Sequence, residues 1–123
     1  MVTMPSTGGG LNVADEIVGN GNGSTGTFNQ SGGTHSVSGT LTIGQFGSHG
    51  IYRLSGVGSV LTASNEYIGL GGRGSLTQSG GTHTVNNTLT IGNNSNYLLS
   101  MNGKLNAPNL INNGSFDQSG EAF

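Results

Sequence analysis

Polar and apolar residues alternate with a period of two along most of the chain. One polar residue separates Phe28 from Gln30, and the same spacing separates Leu41 from Ile43. A period of two predicts β-strands, and no stretch shows the 3.6-residue period of an amphipathic helix. Thr, Val, Ile, Leu and aromatic residues occupy the alternating runs, while Gly, Asn and Ser lie between them. This distribution predicts an all-β protein built from short strands and Gly-rich turns.

The alternating runs belong to an internal repeat. Residues 75–92 repeat residues 27–44 almost letter for letter, at an offset of 48 residues. The intervening residues 51–69 have the same skeleton, so the period is about 24 residues, and a truncated copy begins at Ser115. At an offset of 50, Val2 aligns with Tyr52 and Met4 with Leu54. The repeat therefore covers the chain from its first residues.

A period of about 24 residues with three short strands is too short for a propeller blade, which needs roughly 40–50 residues. It fits one coil of a β-solenoid, with three strands and three corners. Gly44 and Gly69 recur at corners, where a sharp turn requires a positive φ. We predict an all-β, right-handed parallel β-solenoid (β-helix) of about five coils, with residues 1–123 forming a single domain without separate caps.

Two repeat positions are predicted to face the interior. Gln30, Leu54 and Gln78 share one of them, which suggests a buried amide that bonds along the stack. The second is shared by Val18, Ile43, Ile68, Ile91 and Ile111.

Acidic residues occur at a third repeat position that is otherwise apolar. Glu16 and Glu66 occupy the position that Leu41 holds in the coil between them. A buried carboxylate requires a partner. His35 or His83, from a neighbouring coil, is the candidate.

Composition excludes several classes of function. The chain has three Lys and Arg, five Asp and Glu, a net charge of −2 and no Cys. Three cations are too few to follow a phosphate backbone, so we expect no nucleic-acid partner. No run approaches the ~20 apolar residues of a membrane span, so we expect no membrane insertion. Because His49 is separated from the other two histidines and the acids do not cluster, we expect no metal, no cofactor and no catalytic site.

Two triplets of the form Thr-x-Thr are predicted to face outward on the solenoid. Ladders of such triplets occur on ice-binding β-solenoids, but here Tyr67 interrupts one coil, and Pro108 and Leu110 another. Ice binding is therefore the least favoured function, and adhesion to glycans is the alternative use of this face. The candidate surface-binding residues are Thr40, Thr42, Tyr67, Thr88 and Thr90.

The repeat pattern, Phe/Leu-x-Gln-Ser-Gly-Gly-Thr-His followed by Leu-Thr-Ile-Gly, resembles repeats of bacterial exported proteins. These are autotransporter-passenger-like β-solenoids and surface proteins that carry a PEP-CTERM sorting tail. The resemblance implies export, an extracellular or cell-surface location, and a structural or adhesive role.

The ends of the repeat predict how such a protein could assemble. An end coil without a cap exposes unpaired backbone groups and half-buried apolar side chains. We therefore expect the chain to stack head to tail with copies of itself into a filament. The alternative is an adhesive or glycan-binding fragment of a larger surface protein. The predicted stacking residues are Val2, Met4, Leu11, Val13, Leu105, Ile111, Phe116, Gln118 and Phe123.

Overall fold

A computed structural model describes residues 2–4, 10–100 and 102–118, and within them it contains thirteen β-strands and no helix. The strands are β1 (Val2–Met4), β2 (Gly10–Val13), β3 (Glu16–Asn20), β4 (Thr25–Gln30), β5 (Thr34–Gln45), β6 (His49–Leu54), β7 (Val60–Leu70), β8 (Arg73–Gln78), β9 (Thr82–Ile91), β10 (Asn96–Leu99), β11 (Lys104–Asn106), β12 (Asn109–Asn112) and β13 (Ser115–Gln118).

The strands form two parallel sheets, and the chain passes from one to the other in every coil. The first sheet has six strands in the order β1-β4-β6-β8-β10-β13. The second contains β11-β9-β7-β5-β2, with β12 also paired to β9 and β3 also paired to β5. The result is a β-solenoid of about four turns, a small difference from the five predicted coils. The prediction of a parallel β-solenoid is confirmed.

The central coils join two of their three predicted strands. β5, β7 and β9 are 12, 11 and 10 residues long, whereas the end coils keep separate strands, β2 and β3 at one end and β11 and β12 at the other. The pairing of β5 with β7 shifts register between Val37 and Thr40. Such a bulge lets a strand bend without leaving its ladder. A long strand with a bend therefore replaces a corner.

The strand register reproduces the repeat. Thr25, His49 and Arg73 are partners on successive strands, 24 residues apart. Toward the C-terminus the spacing shortens, because Asn96 pairs with Ser75 on one side and with Ser115 on the other. Val2 pairs with Phe28 and Phe28 with Tyr52, as the offset of 50 residues predicted.

The core is a single column of side chains enclosed by the two sheets. Leu41, Ile43, Leu61, Ile68, Leu76, Leu89 and Ile91 are completely buried. Gln30, Leu54 and Gln78 are buried as well, which confirms that Gln and Leu share an interior position.

Ile111 does not occupy the interior position that the repeat assigned to it. Leu110 pairs with Leu89 and Ile111 with Thr90, so Ile111 points outward and is 50% exposed. The cause lies between β11 and β12. Asn106 pairs with Thr84 and Asn109 with Thr88, so this segment is one residue shorter than the corresponding part of β9. A shift of one residue moves every following side chain to the opposite face.

One corner of the solenoid is built from backbone packed on backbone. Gly44 and Gly69 have φ values of 83° and 86°, as predicted for corner glycines. Gly50 of β6 packs against this corner. A Cβ on Gly50 would lie less than 3.0 Å from the carbonyl oxygen of Val18 and the amide nitrogen of Gly44. The close approach of the coils therefore depends on the absence of a side chain at Gly50.

Candidate functional site

The outward ladder of the second sheet has two adjacent columns. In the first, Thr40 pairs with Asn65 and Asn65 with Thr88, whose other partner is Asn109. These side chains are half-buried or exposed. Tyr67 lies at the centre of the second column. The members of the second column are Ile17, Thr42, Tyr67, Thr90 and Ile111.

Two sequence predictions about this face are wrong. Thr42 is only 5% exposed, so it cannot serve as a surface-binding residue. The larger side chains of Ile17 and Tyr67 flank it on the neighbouring strands. The last coil contributes Asn109 and Ile111 rather than Pro108 and Leu110, because of the register change described above.

A chain of four polar side chains crosses three coils in the interior. Glu16 Oε1 lies 2.5 Å from His35 Nε2, and His35 Nδ1 lies 2.7 Å from the hydroxyl oxygen of Tyr52. The Tyr52 hydroxyl donates to Gln30 Oε1 at 2.6 Å. Alternate inward positions on β3, β5, β6 and β4 supply these side chains, which explains why they converge.

A second copy of the same chain lies two coils farther along. Glu66 Oε1 is 2.6 Å from His83 Nε2, and His83 Nδ1 is 2.8 Å from the Tyr97 hydroxyl. Tyr97 donates to Gln78 Oε1. Glu66 and His83 are fully buried, whereas the Glu16 side chain is 16% exposed. We refer to these two sets as the Glu16 network and the Glu66 network.

The predicted pairing of buried Glu with His is confirmed in both networks, but the sequence reasoning missed the tyrosines. Tyr52 and Tyr97 share an inward repeat position with Phe28, where an aromatic ring alone would suffice. The available signal was that each tyrosine follows a His-containing coil by one period. Ring stacking supports the arrangement, since Phe28 lies between the rings of His35 and Tyr52.

Burial and negative charge keep the tyrosine hydroxyls protonated. Desolvation raises the pKa of Tyr52, and the carboxylates of Glu66 and Glu16 raise it further. Desolvation and Glu66 raise the pKa of Tyr97 in the same direction. Both phenols therefore remain hydrogen-bond donors throughout the physiological pH range.

The networks are separated from the surface grooves. A groove of about 510 Å³ is lined by corner residues of several coils, among them Ser48, His49 and Arg73, but by no member of either network. Residues 2–4, 10–100 and 102–118 contain no cluster of three His, Cys, Asp or Glu suited to a metal ion. Within those ranges, no helix is long and apolar enough to cross a bilayer. The networks thus connect coils and do not line a substrate site.

The predicted stacking residues lie at both ends of the solenoid. Leu11, Val13, Leu105 and Phe116 are partly buried against the core, and Gln118 is exposed. The backbones of Val2 and Met4 lie in β1, while Phe123 falls outside the described residues. Ile111 is removed from this set, and Leu110, which faces inward and is 45% exposed, takes its place.

Comparison with known proteins gave no relative. No known family matches the chain, and neither curated proteins nor solved structures contain a significant match. The resemblance to bacterial exported repeat proteins therefore stays a prediction.

Proposed function

We propose that this chain is a structural β-solenoid subunit that stacks head to tail on copies of itself and forms an extracellular or cell-surface fibre. The observation that carries the proposal is the exposed inward face of the last coil. Leu110 points along the same interior column as Leu89, yet it is 45% exposed, whereas Leu89 is completely buried. A further coil laid on β12 would bury this side chain.

The two ends have matching backbone geometry. β1 and β13 are the outermost strands of the same six-stranded sheet, and every pairing in that sheet is parallel. Among the described strands, β1 pairs only with β4 and β13 only with β10, so each leaves one edge free. The free edge of β13 on one copy can therefore pair with β1 of the next at about 4.8 Å.

Such a contact joins two different surfaces and leaves the next pair of edges free. An interface of this kind does not close into a ring unless its rotation does so, and otherwise it propagates as a fibre. The ring of Phe116, which stacks on Tyr97 at 5.1 Å, offers its opposite face to the incoming coil. The proposal requires neither catalytic activity nor a cofactor.

Two neighbouring residues of β12 provide a matched test. Leu110 faces inward and Ile111 outward, with similar exposures of 45% and 50%. Leu110→Lys places a charge in the proposed contact, whereas Ile111→Lys places the same charge on the outer surface. Negative-stain microscopy should show filaments for the wild type and for Ile111→Lys, and none for Leu110→Lys. Filaments that form equally with both variants, or with neither, would refute stacking through this face.

Adhesion to a neutral glycan is the second candidate function. The observation that favours it is the position of Tyr67, a partly exposed aromatic ring next to the column of Thr40, Asn65 and Thr88. Aromatic rings pack against the apolar faces of sugars, and the adjacent hydroxyl and amide groups can hydrogen-bond the sugar hydroxyls. A glycan array should then give binding that Tyr67→Ala abolishes. Ile51→Ala, on the outward face of the other sheet, is the control and should leave binding intact.

A further inference from the structure

Hydrogen-bond directions in both networks can be followed outward from the glutamine. Gln30 Nε2 lies 3.1 Å from the carbonyl oxygen of Gly33 and 2.9 Å from that of Val60. Because a carbonyl only accepts, the amide NH₂ group must face these two atoms. Gln30 Oε1 therefore faces Tyr52 and can only accept. Gln78 repeats this arrangement with the carbonyls of Gly81 and Lys104.

The tyrosine passes this direction on to the histidine. The Tyr52 hydroxyl has a single hydrogen, which it donates to Gln30 Oε1. Its oxygen must then accept at the 2.7 Å contact with His35 Nδ1, so Nδ1 carries a hydrogen. The same reasoning assigns a hydrogen to Nδ1 of His83, through Tyr97 and Gln78.

The remaining contact requires one more proton. With Nδ1 protonated, a neutral imidazole has only a lone pair on Nε2, and an ionised carboxylate has only lone pairs on its oxygens. Two lone pairs would repel at the 2.5 Å between His35 Nε2 and Glu16 Oε1, or at the 2.6 Å between His83 Nε2 and Glu66 Oε1. A single proton between the two atoms removes the repulsion and leaves the pair neutral overall.

We infer that each buried Glu–His pair holds one shared proton, and that these two protons restrict the stable fold to a limited range of pH. The inference concerns the interior of the subunit and does not depend on the proposed stacking. It makes the coils joined by the Glu16 and Glu66 networks separate on both acid and alkaline excursions.

The limits of this range follow from proton counts in the folded and unfolded chain. Between about pH 4.3 and pH 6.5 an unfolded Glu–His pair also holds one proton, on the imidazole, so stability does not change with pH. Above this range the unfolded pair loses a proton that the folded pair keeps, and stability falls as pH rises. Below it the unfolded pair gains a second proton, and stability falls as pH falls. Each pair contributes up to a tenfold change in the folding constant per pH unit.

Rearrangement of the network does not avoid the alkaline loss. If the imidazole moved its hydrogen to Nε2 and bonded to an ionised Glu66, His83 Nδ1 would need a donor. The Tyr97 hydroxyl would have to turn to Nδ1, which would leave Gln78 Oε1 buried without a donor. A buried polar atom without a partner is costly, and Glu66 Oε2 already lacks a partner among the described residues.

The other titratable groups near the pairs keep their protons or face away. Tyr52 and Tyr97 are held in the neutral form by burial and by Glu66, with Glu16 adding to the effect on Tyr52. Asp15, the neighbour of Glu16 in sequence, accepts from the backbone amide of Thr40 at 2.8 Å in an exposed position.

Glu66→Gln tests the shared proton, because the introduced amide can donate to His83 Nε2 without an extra proton. Urea unfolding between pH 7 and pH 9 should show the folding constant of the wild type falling by up to a hundredfold per pH unit, since both pairs contribute. The variant should lose one pair's share and fall by up to tenfold. Asp117→Asn removes an exposed carboxylate and is the matched control, which should behave as the wild type. An unchanged slope in Glu66→Gln would overturn the inference.

A measurement on the wild type keeps the inference testable if that variant does not fold. Nitrogen-15 spectra of the histidine rings at pH 8 should show a hydrogen on Nδ1 of both His35 and His83, each in slow exchange with solvent. The half-buried His49 ring on the surface provides an internal reference. A lone pair on Nδ1 of either buried ring would contradict the assigned hydrogen-bond directions.

Discussion

Replacement of Gly50 by alanine tests the backbone packing that brings the coils together. Gly50 is buried in β6, and its φ is not in the left-handed region, so alanine is compatible with the local backbone conformation. The obstacle is space, because the new methyl group would lie less than 3.0 Å from backbone atoms of Val18 and Gly44. Neither atom belongs to a flexible side chain that could move aside.

The expected loss combines two opposing effects. Overfilling a packed interior costs about 1–3 kcal/mol, and backbone neighbours place this site at the upper end of that range. The lower entropy of the unfolded alanine chain offsets about 0.4–1 kcal/mol. We therefore expect Gly50→Ala to lower the free energy of unfolding by about 2 kcal/mol.

Gly58→Ala is the matched control for this prediction. Gly58 has no positive φ, and a Cβ there would meet no atom within 4 Å. Only the entropy effect remains, so this variant should be more stable than the wild type by about 0.4–1 kcal/mol. Urea unfolding followed by far-UV circular dichroism measures both variants. A Gly50→Ala protein as stable as Gly58→Ala would refute the packing argument.

Two other predictions concern the Glu66 network. Gln78→Leu imitates Leu54 in the preceding coil, but it leaves the Tyr97 hydroxyl without its acceptor and should cost about 1–3 kcal/mol in urea unfolding. A change within about 0.5 kcal/mol, the size expected for the outward-facing control Thr77→Leu, would contradict it. Burial raises the pKa of Tyr52 and Tyr97, so stabilisation by their neutral phenols is complete below about pH 10 and is lost as pH rises above it. In an alkaline absorbance titration two of the three tyrosines should ionise only as the far-UV signal of the fold disappears; ionisation of all three in folded protein would contradict this.

The repeat alone predicted much of the fold because parallel stacking places equivalent residues directly above one another. Once Phe28, Tyr52 and Leu76 were aligned in sequence, their pairing in the sheet followed. The Glu–His partnership was predictable for the same reason. A carboxylate at an inward position must find a partner within reach of the neighbouring coils, and histidine was the only inward candidate with a complementary proton.

The errors arose where packing or register depends on more than the repeat. The burial of Thr42 reflects the sizes of Ile17 and Tyr67 on the adjoining strands, not its own position in the repeat. The outward position of Ile111 reflects a one-residue difference between β9 and the segment that joins β11 to β12. Sequence alignment of the final isoleucines concealed that difference, because both alignments place an apolar residue near the interior position.

Sedimentation velocity of the pure protein over a range of concentrations tests the central proposal most directly. Head-to-tail stacking predicts a series of species of increasing mass, each larger by one 12.3 kDa chain, with the distribution moving to longer species as concentration rises. A single 12.3 kDa species that persists to the highest concentration would contradict the proposal that this solenoid is a fibre subunit.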